Sequence, residues 1–149
     1  MAKRQLIIFE LGGREFGIGI KEVEEIIEYQ EPKPLPTTSE AIKGMINLRG
    51  DVVVIVDLKK KLNLDKAGVE DRILVVNTGE TKVGFVVDSA SEVLNLSGEE
   101  LKPPPDDKLH GIKSGVMKAI GEKDDRLIII LDLERLIESG HIKELAVSN

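Results

Sequence analysis

The distribution of β-branched apolar residues constrains this chain most: 17 Ile and 14 Val fall in short bursts separated by Gly, Pro, Asp and Asn. Side chains branched at Cβ are stiff at χ1 and pack well on a pleated surface, so the pattern predicts many short strands and little helix. Gln5 to Leu11, a Gly12-Gly13 turn and Glu15 to Ile20 read as a β-hairpin, with Phe16, Ile18 and Ile20 on one face and Gly17 and Gly19 on the other. Lys21 to Tyr29 fits either a helical face through Val23, Ile26 and Ile27 or a turn followed by a strand; the second is preferred. Pro32, Pro34 and Pro36 fix φ and remove amide donors, which predicts an extended edge or connector, and Thr37 to Ile42 reads as one short helical turn.

Gly44 to Leu48, Arg49-Gly50-Asp51 and Val52 to Val56 read as strand, turn, strand. Asp57 is expected to cap a short helix over Leu58 to Leu62, with Lys59, Lys60 and Lys61 toward solvent. Ile73 to Val76 and Val83 to Val87 make a second hairpin, and Val93, Leu94 and Leu96 a short strand. Pro103-Pro104-Pro105 marks a surface loop within Lys102 to Lys108. Gly115 to Ile120 and Leu127 to Leu131 form a third hairpin, after which Asp132 caps an amphipathic helix carrying Leu133, Leu136 and Ile137 on one face and stopping near Gly140. Nine or ten short strands are too many for one five-stranded barrel and fit two small barrels packed together.

At 149 residues there is room for one ordinary domain, expected over 3–143 with a frayed tail at 144–149, and the boundary between lobes is not assignable from sequence. A chain of this length buries about 70% of the surface its unfolded form exposes, so its core needs no covalent staple. The absence of cysteine excludes disulfides, thiolate metal ligands and thiol catalysis. A net charge of −6 sets the overall field against phosphate backbones, which argues against nucleic acid as a partner. Glu10 interrupts the apolar run of the amino terminus, and no stretch approaches the roughly 20 apolar residues of a membrane span. A cytoplasmic protein without membrane insertion is expected.

The catalytic inventory is thin. His110 and His141 lack the spacing of a metal pair and lie in no nucleophile motif. Asp106-Asp107 and Asp124-Asp125 sit in polar, turn-like stretches, and neither phosphate-cradling glycine motif is present. With one Tyr, three Phe and no Trp there is no platform for stacking bases. No enzyme, metal or cofactor is indicated. One segment stands out: Gly44-Met45-Ile46-Asn47-Leu48-Arg49-Gly50-Asp51 delivers an arginine fork to a glycine-flanked turn, although from spacing alone an ordinary turn arginine is the favoured explanation.

Read as a whole, the run Ile42-Lys43-Gly44-Met45-Ile46-Asn47-Leu48-Arg49-Gly50, continued by Val52-Val53-Val54-Ile55-Val56-Asp57-Leu58, resembles the signature of the bacterial chemotaxis coupling proteins of the CheW-like family. Phe9 to Ile18 with Val23-Glu24-Glu25-Ile26, Val83 to Asp88 with Val93-Leu94, and Leu127 to Leu133 resemble further blocks of that family, in the same order. The resemblance implies two five-stranded SH3-like barrel lobes around a shared core, with short helices and a C-terminal helix. It implies a non-catalytic adaptor that joins chemoreceptor cytoplasmic tips to the regulatory domain of the histidine kinase CheA, monomeric alone and part of a larger array. By motif matching, Asn47, Leu48, Arg49 and Gly50 are carried over to the receptor-binding groove, with Val23, Glu25 and Ile26 nearby and Ile73, Gly84 and Val93 as groove or support residues. Val23, Ile26 and Val93 are equally well explained as plain core, and the kinase-binding residues are not assigned.

Two alternatives stay open. One is a CheW-like module cut from a CheV- or CheA-type protein, against which Met1 and the end at Asn149 favour a stand-alone coupler. The other is a small-ligand-binding β-barrel, which requires an enclosed cavity with convergent polar groups.

Overall fold

The computed structural model describes residues 4–36, 40–64, 69–79, 81–109 and 112–138. The expectations for Thr37 to Ser39, His110, Gly140, His141 and the 144–149 tail fall outside those residues. In chain order the strands are β1 Arg4–Leu11, β2 Arg14–Gly19, β3 Val23–Glu28, β4 Ile42–Leu48, β5 Asp51–Asp57, β6 Arg72–Asn77, β7 Lys82–Val87, β8 Ser89–Leu96, β9 Leu101–Lys102, β10 Lys108–Leu109, β11 Ile112–Lys113, β12 Met117–Lys123 and β13 Arg126–Leu131. Helix α1 covers Leu58–Lys61 and α2 Leu133–Glu138, and 3-10 turns occupy Ile20–Glu22, Gly98–Glu100 and Ser114–Val116. The first sheet runs β8-β1-β2-β13-β12-β9 and the second β3-β6-β7-β5-β4, with β10-β11 a separate ribbon. Within each large sheet one central pair is parallel, β2 with β13 and β5 with β7.

Burial on both faces explains the unbroken apolar runs. In β5, Val53 and Ile55 point into the second lobe with Ile46, Leu48, Ile73, Val75 and Val86. Val54 and Val56, on the opposite face, join Leu74, Val76, Phe85 and Val87 against Phe9, Leu11, Phe16 and Ile18 of the first sheet. In β13, Ile128 and Ile130 fill the first lobe with Leu6, Ile8 and Leu96, while Ile129 and Leu131 enter the shared layer. A strand covered on both sides has no polar face, which is why these segments read as runs rather than alternations. Phe9 and Phe16 stack in the shared layer with ring centroids 5.6 Å apart. The expected two-lobed, mostly β architecture is present, and its ten long strands match the count made from the sequence.

Several local readings are adjusted. Lys21 to Tyr29 is a 3-10 turn followed by β3, as preferred, but Ile20 belongs to that turn and not to β2. Gly115 likewise lies in a turn before β12, and β8 begins at Ser89, well before Val93. Asp57 caps α1 through the Lys60 amide as expected. Lys59, expected in solvent, is half-buried and paired with Asp88 at 2.8 Å, because α1 packs back onto the end of β7.

The two lobes are built from two copies of one unit that exchange strands. Residues 4–28 correspond to 71–95, and 40–62 to 115–137. The bulge between Val23 and Glu25 of β3, opposite β6, has its counterpart between Ala90 and Glu92 of β8, opposite Phe9 and Ile8 of β1. The bulge between Ile42 and Gly44 recurs between Met117 and Ala119. Asp57 donates its amide to the Ala41 carbonyl as Asp132 does to Val116, and each caps the helix that follows. The first lobe combines β1 and β2 of one unit with β8, β12 and β13 of the other; the second combines β3, β4 and β5 with β6 and β7.

The second lobe closes where the chain beyond β3 meets β4. Lys33 and Met45 exchange both backbone hydrogen bonds at 2.8 Å. At Gly44, with φ of +147°, a Cβ would overlap the Lys33 carbonyl, so only glycine permits the approach. Ile27 and Tyr29 pack on the lobe interior from the β3 side, and the Lys43 ammonium lies 5.9 Å from the Tyr29 ring centre.

Candidate interaction surface

Leu48 and Asp51 face each other across a two-residue turn in which Arg49 and Gly50 have φ of 51° and 92°. Two positive φ values match the right-handed twist of the flanking strands, so the tight hairpin requires them. Gly50 adopts this freely, whereas a left-handed arginine costs about 1–2 kcal/mol. Asn47 offsets part of that by accepting the Gly50 amide on its Oδ1 at 2.9 Å. The Arg49 side chain is 66% exposed and its guanidinium pairs with the Glu25 carboxylate of β3. Beside it Lys82 bridges Glu24 at 3.0 Å and Asp51 at 2.9 Å. These contacts tie the hairpin end to β3 and β7, so the arginine is presented from a braced turn.

Exposed aliphatics accompany it. Ile26, Val52, Val93 and Leu127 are each between 39% and 49% exposed. Ile26 lies opposite Leu74 and Val93 opposite Ile7, whose own partner across β2 is Ile18. Directly opposed residues share a face, and Leu74 and Ile18 both belong to the layer between the lobes. Val52 precedes Val54 on that face, and Leu127 precedes Ile129. All four therefore continue the inter-lobe faces beyond the sealed layer. They form two equivalent pairs, since Ile26 corresponds to Val93 and Val52 to Leu127 in the repeated unit.

The residues expected at a groove divide accordingly. Asn47, Arg49, Gly50, Glu25 and Ile26 come together at the second lobe's β3 and hairpin end, and Val93 lies at the corresponding edge of the first lobe. Val23 is half-buried against the shared layer. Leu48 and Ile73 are buried inside the second lobe, and a Cβ on Gly84 would stand 2.6 Å from Ile73 Cγ2. Ile73 and Gly84 are thus confined to support, because the close pairing of β6, β7 and β5 leaves them no outward path. Val52, Lys82, Glu24 and Leu127 were not singled out from the sequence; for Val52 and Leu127 the available signal was their position as the first apolar residue after a turn. Among the described residues, no three His, Asp or Glu side chains are grouped as a metal site, and no helix is long and apolar enough to cross a membrane.

A family model described as CheW-like domain matches residues 5–141. The chemotaxis protein CheW of Klebsiella aerogenes is 34% identical over 138 residues, covering 91% of this chain and 82% of the relative. The chemotaxis protein CheW of Thermotoga maritima is 31% identical over 142 residues, covering 94% and 91%. Among solved structures, the crystal structure of the scaffolding protein TtCheW from Thermoanaerobacter tengcongensis superposes with a TM-score of 0.84 at 31% identity, covering 94% of this chain and 91% of that one.

Proposed function

Because the chain belongs to the CheW-like domain family, we propose that it is a non-catalytic adaptor in chemotaxis signalling, acting in the cytoplasm to join chemoreceptor signalling tips to the regulatory domain of the histidine kinase CheA. The observation that carries this reading is the braced left-handed turn at Arg49, set beside exposed aliphatics on stiff sheets. Backbone strain held in place by surrounding contacts is a feature of recognition sites. Binding energy at interfaces concentrates in a few anchors, arginine prominent among them, and a helical tip docks by laying its apolar face in a groove. In this reading Arg49 supplies charge-assisted hydrogen bonds to a tip carboxylate or carbonyl, while Ile26 and Val93 bury apolar surface. Leu48, Ile73 and Gly84 stiffen the lobe behind them. The interior of each lobe is filled by its own side chains, which disfavours a small-ligand barrel.

Sedimentation of the chain mixed with a receptor-tip fragment and a CheA regulatory domain tests the proposal. A ternary complex is expected. Arg49→Ala should weaken the receptor contact by about 1–3 kcal/mol and leave the kinase contact and the fold in place. A folded chain that binds neither partner would refute the adaptor reading.

A further inference from the structure

Among the exposed aliphatics, Leu127 stands in a charged row that its counterpart Val52 lacks. Glu122 of β12 lies directly opposite it. One step beyond the pairing of Glu15 with Ile128, Arg14 of β2 lies on its other side. Arg14 alternates with Phe16, Leu127 with Ile129 and Glu122 with Ile120, all of the layer between the lobes, so the three side chains share that face just outside the seal. Leu127 is 41% exposed, with a cleft of about 230 Å³ on the Arg14 side and one of about 360 Å³ on the Glu122 side. Among the described residues neither Arg14 nor Glu122 has an ion-pair partner. The neighbouring Arg126 is taken up by Glu15, at 3.0 Å from Nε, and by Glu92, at 3.1 Å from Nη1, and Lys123 reaches the Asn95 carbonyl at 3.1 Å. In the second lobe the same row is Thr81, Val52 and Asn47, without charge. The adjoining turns differ as well: Asp124-Asp125 stands where the second lobe has Arg49-Gly50, each pair at positive φ.

We propose that this row is a docking ledge for a helix of a partner protein that presents an acidic, an aliphatic and a basic residue along one face. Neighbouring strands stand about 4.8 Å apart. A helix laid across them returns to the same face every three to four residues, a rise of about 4.5 to 6 Å. Residues i, i+3 and i+7 of such a helix therefore meet β2, β13 and β12 in turn. The acid pairs with the Arg14 guanidinium, the aliphatic group packs on Leu127, and the base reaches Glu122 with Asp124 and Asp125 behind it. Opposite charges at the two ends of the row set which helix is accepted, since a helix acidic or basic at both ends meets one like charge. The Arg49 end of the second lobe, which the adaptor reading gives to the receptor tip, carries the opposite sign beside an uncharged row. The two equivalent ends of the molecule thus select different helices.

The probe is a capped, alanine-based helical peptide carrying Glu, Leu and Lys at i, i+3 and i+7, titrated into the ¹⁵N-labelled full chain. Saturable shifts are expected at the amides of Arg14, Glu122 and Leu127. Changing the peptide leucine to serine should weaken binding about tenfold, the scale of one buried aliphatic side chain. Arg14→Glu should turn the preference towards a peptide with Lys at both charged positions, and Glu122→Lys towards one with Glu at both. Each reversal is a gain of binding, which a misfolded variant cannot show. Absence of any saturable shift at millimolar peptide, a charge preference unchanged in both variants, or shifts confined to the Arg49 turn overturns the proposal. So does a concentration-dependent dimer that Leu127→Ser dissociates, which would assign the ledge to a second copy of this chain. The peptide readout is independent of receptor and kinase binding, so its failure leaves the adaptor reading standing, and the reverse.

Discussion

A non-glycine residue at φ near +50° pays a penalty that asparagine largely escapes, since its short polar side chain bonds to the local backbone. Arg49→Asn should therefore stabilise the chain by about 0.5–1 kcal/mol in urea unfolding, the exposed ion pair to Glu25 being worth little. The same substitution should weaken receptor-tip binding as Arg49→Ala does. A gain in stability with unchanged binding would assign the arginine to the turn alone. Gly44 is the opposite case, a position where the backbone dictates the residue. Gly44→Ala should cost about 3 kcal/mol or more, because φ of +147° and the Lys33 carbonyl both exclude a side chain. Both glycines of the motif were visible in the sequence. Their separate reasons were not, since one serves a local turn and the other an approach by a segment eleven residues away.

Closure of the second lobe at β3 and β4 places the sole tyrosine of the chain where its ionisation can be read. Burial pushes the Tyr29 hydroxyl up to about 12 from an ordinary 10.0. A raised folded value means that the folded state holds its proton more tightly, so this contribution to stability is complete below pH 10 and is lost as pH climbs from 10 towards 12. Ultraviolet titration should show phenolate appearing near pH 12 in the folded chain and near pH 10 in denaturant. A folded midpoint near 10 would mean that the Tyr29 hydroxyl is solvated in the folded chain. Strands, turns and caps were legible where each is set locally: Asp57 and Asp132 by capping, Gly12-Gly13 by turn geometry, β3 by its apolar residues. The extent of β8 was missed because Ser89 to Glu92 has no apolar alternation; backbone pairing to β1 makes it a strand.

At the scale of the whole molecule, the second lobe is contiguous from β3 to β7, yet one face of its sheet is half of the shared layer. Excised, residues 23–88 would expose Val54, Val56, Leu74, Val76, Phe85 and Val87, and each aliphatic so exposed costs roughly 1.5–3 kcal/mol. The fragment should show no cooperative unfolding transition, while the full chain unfolds in one. A fragment that melts cooperatively as a monomer would show that the lobes are independent.

Short-range physics let the sequence by itself determine the inventory of strands and turns, the glycine-flanked arginine and the family resemblance, since stiff β-branched runs, positive-φ turns and helix caps act within a few residues. The tertiary structure alone decided which strands share a lobe and which apolar residues remain outside the sealed layer. Those outcomes depend on burial between segments distant in the chain. The repeat shows the limit most clearly: its two copies agree in bulge position, cap and buried face but differ in most side chains, and fold geometry preserves what residue identity does not.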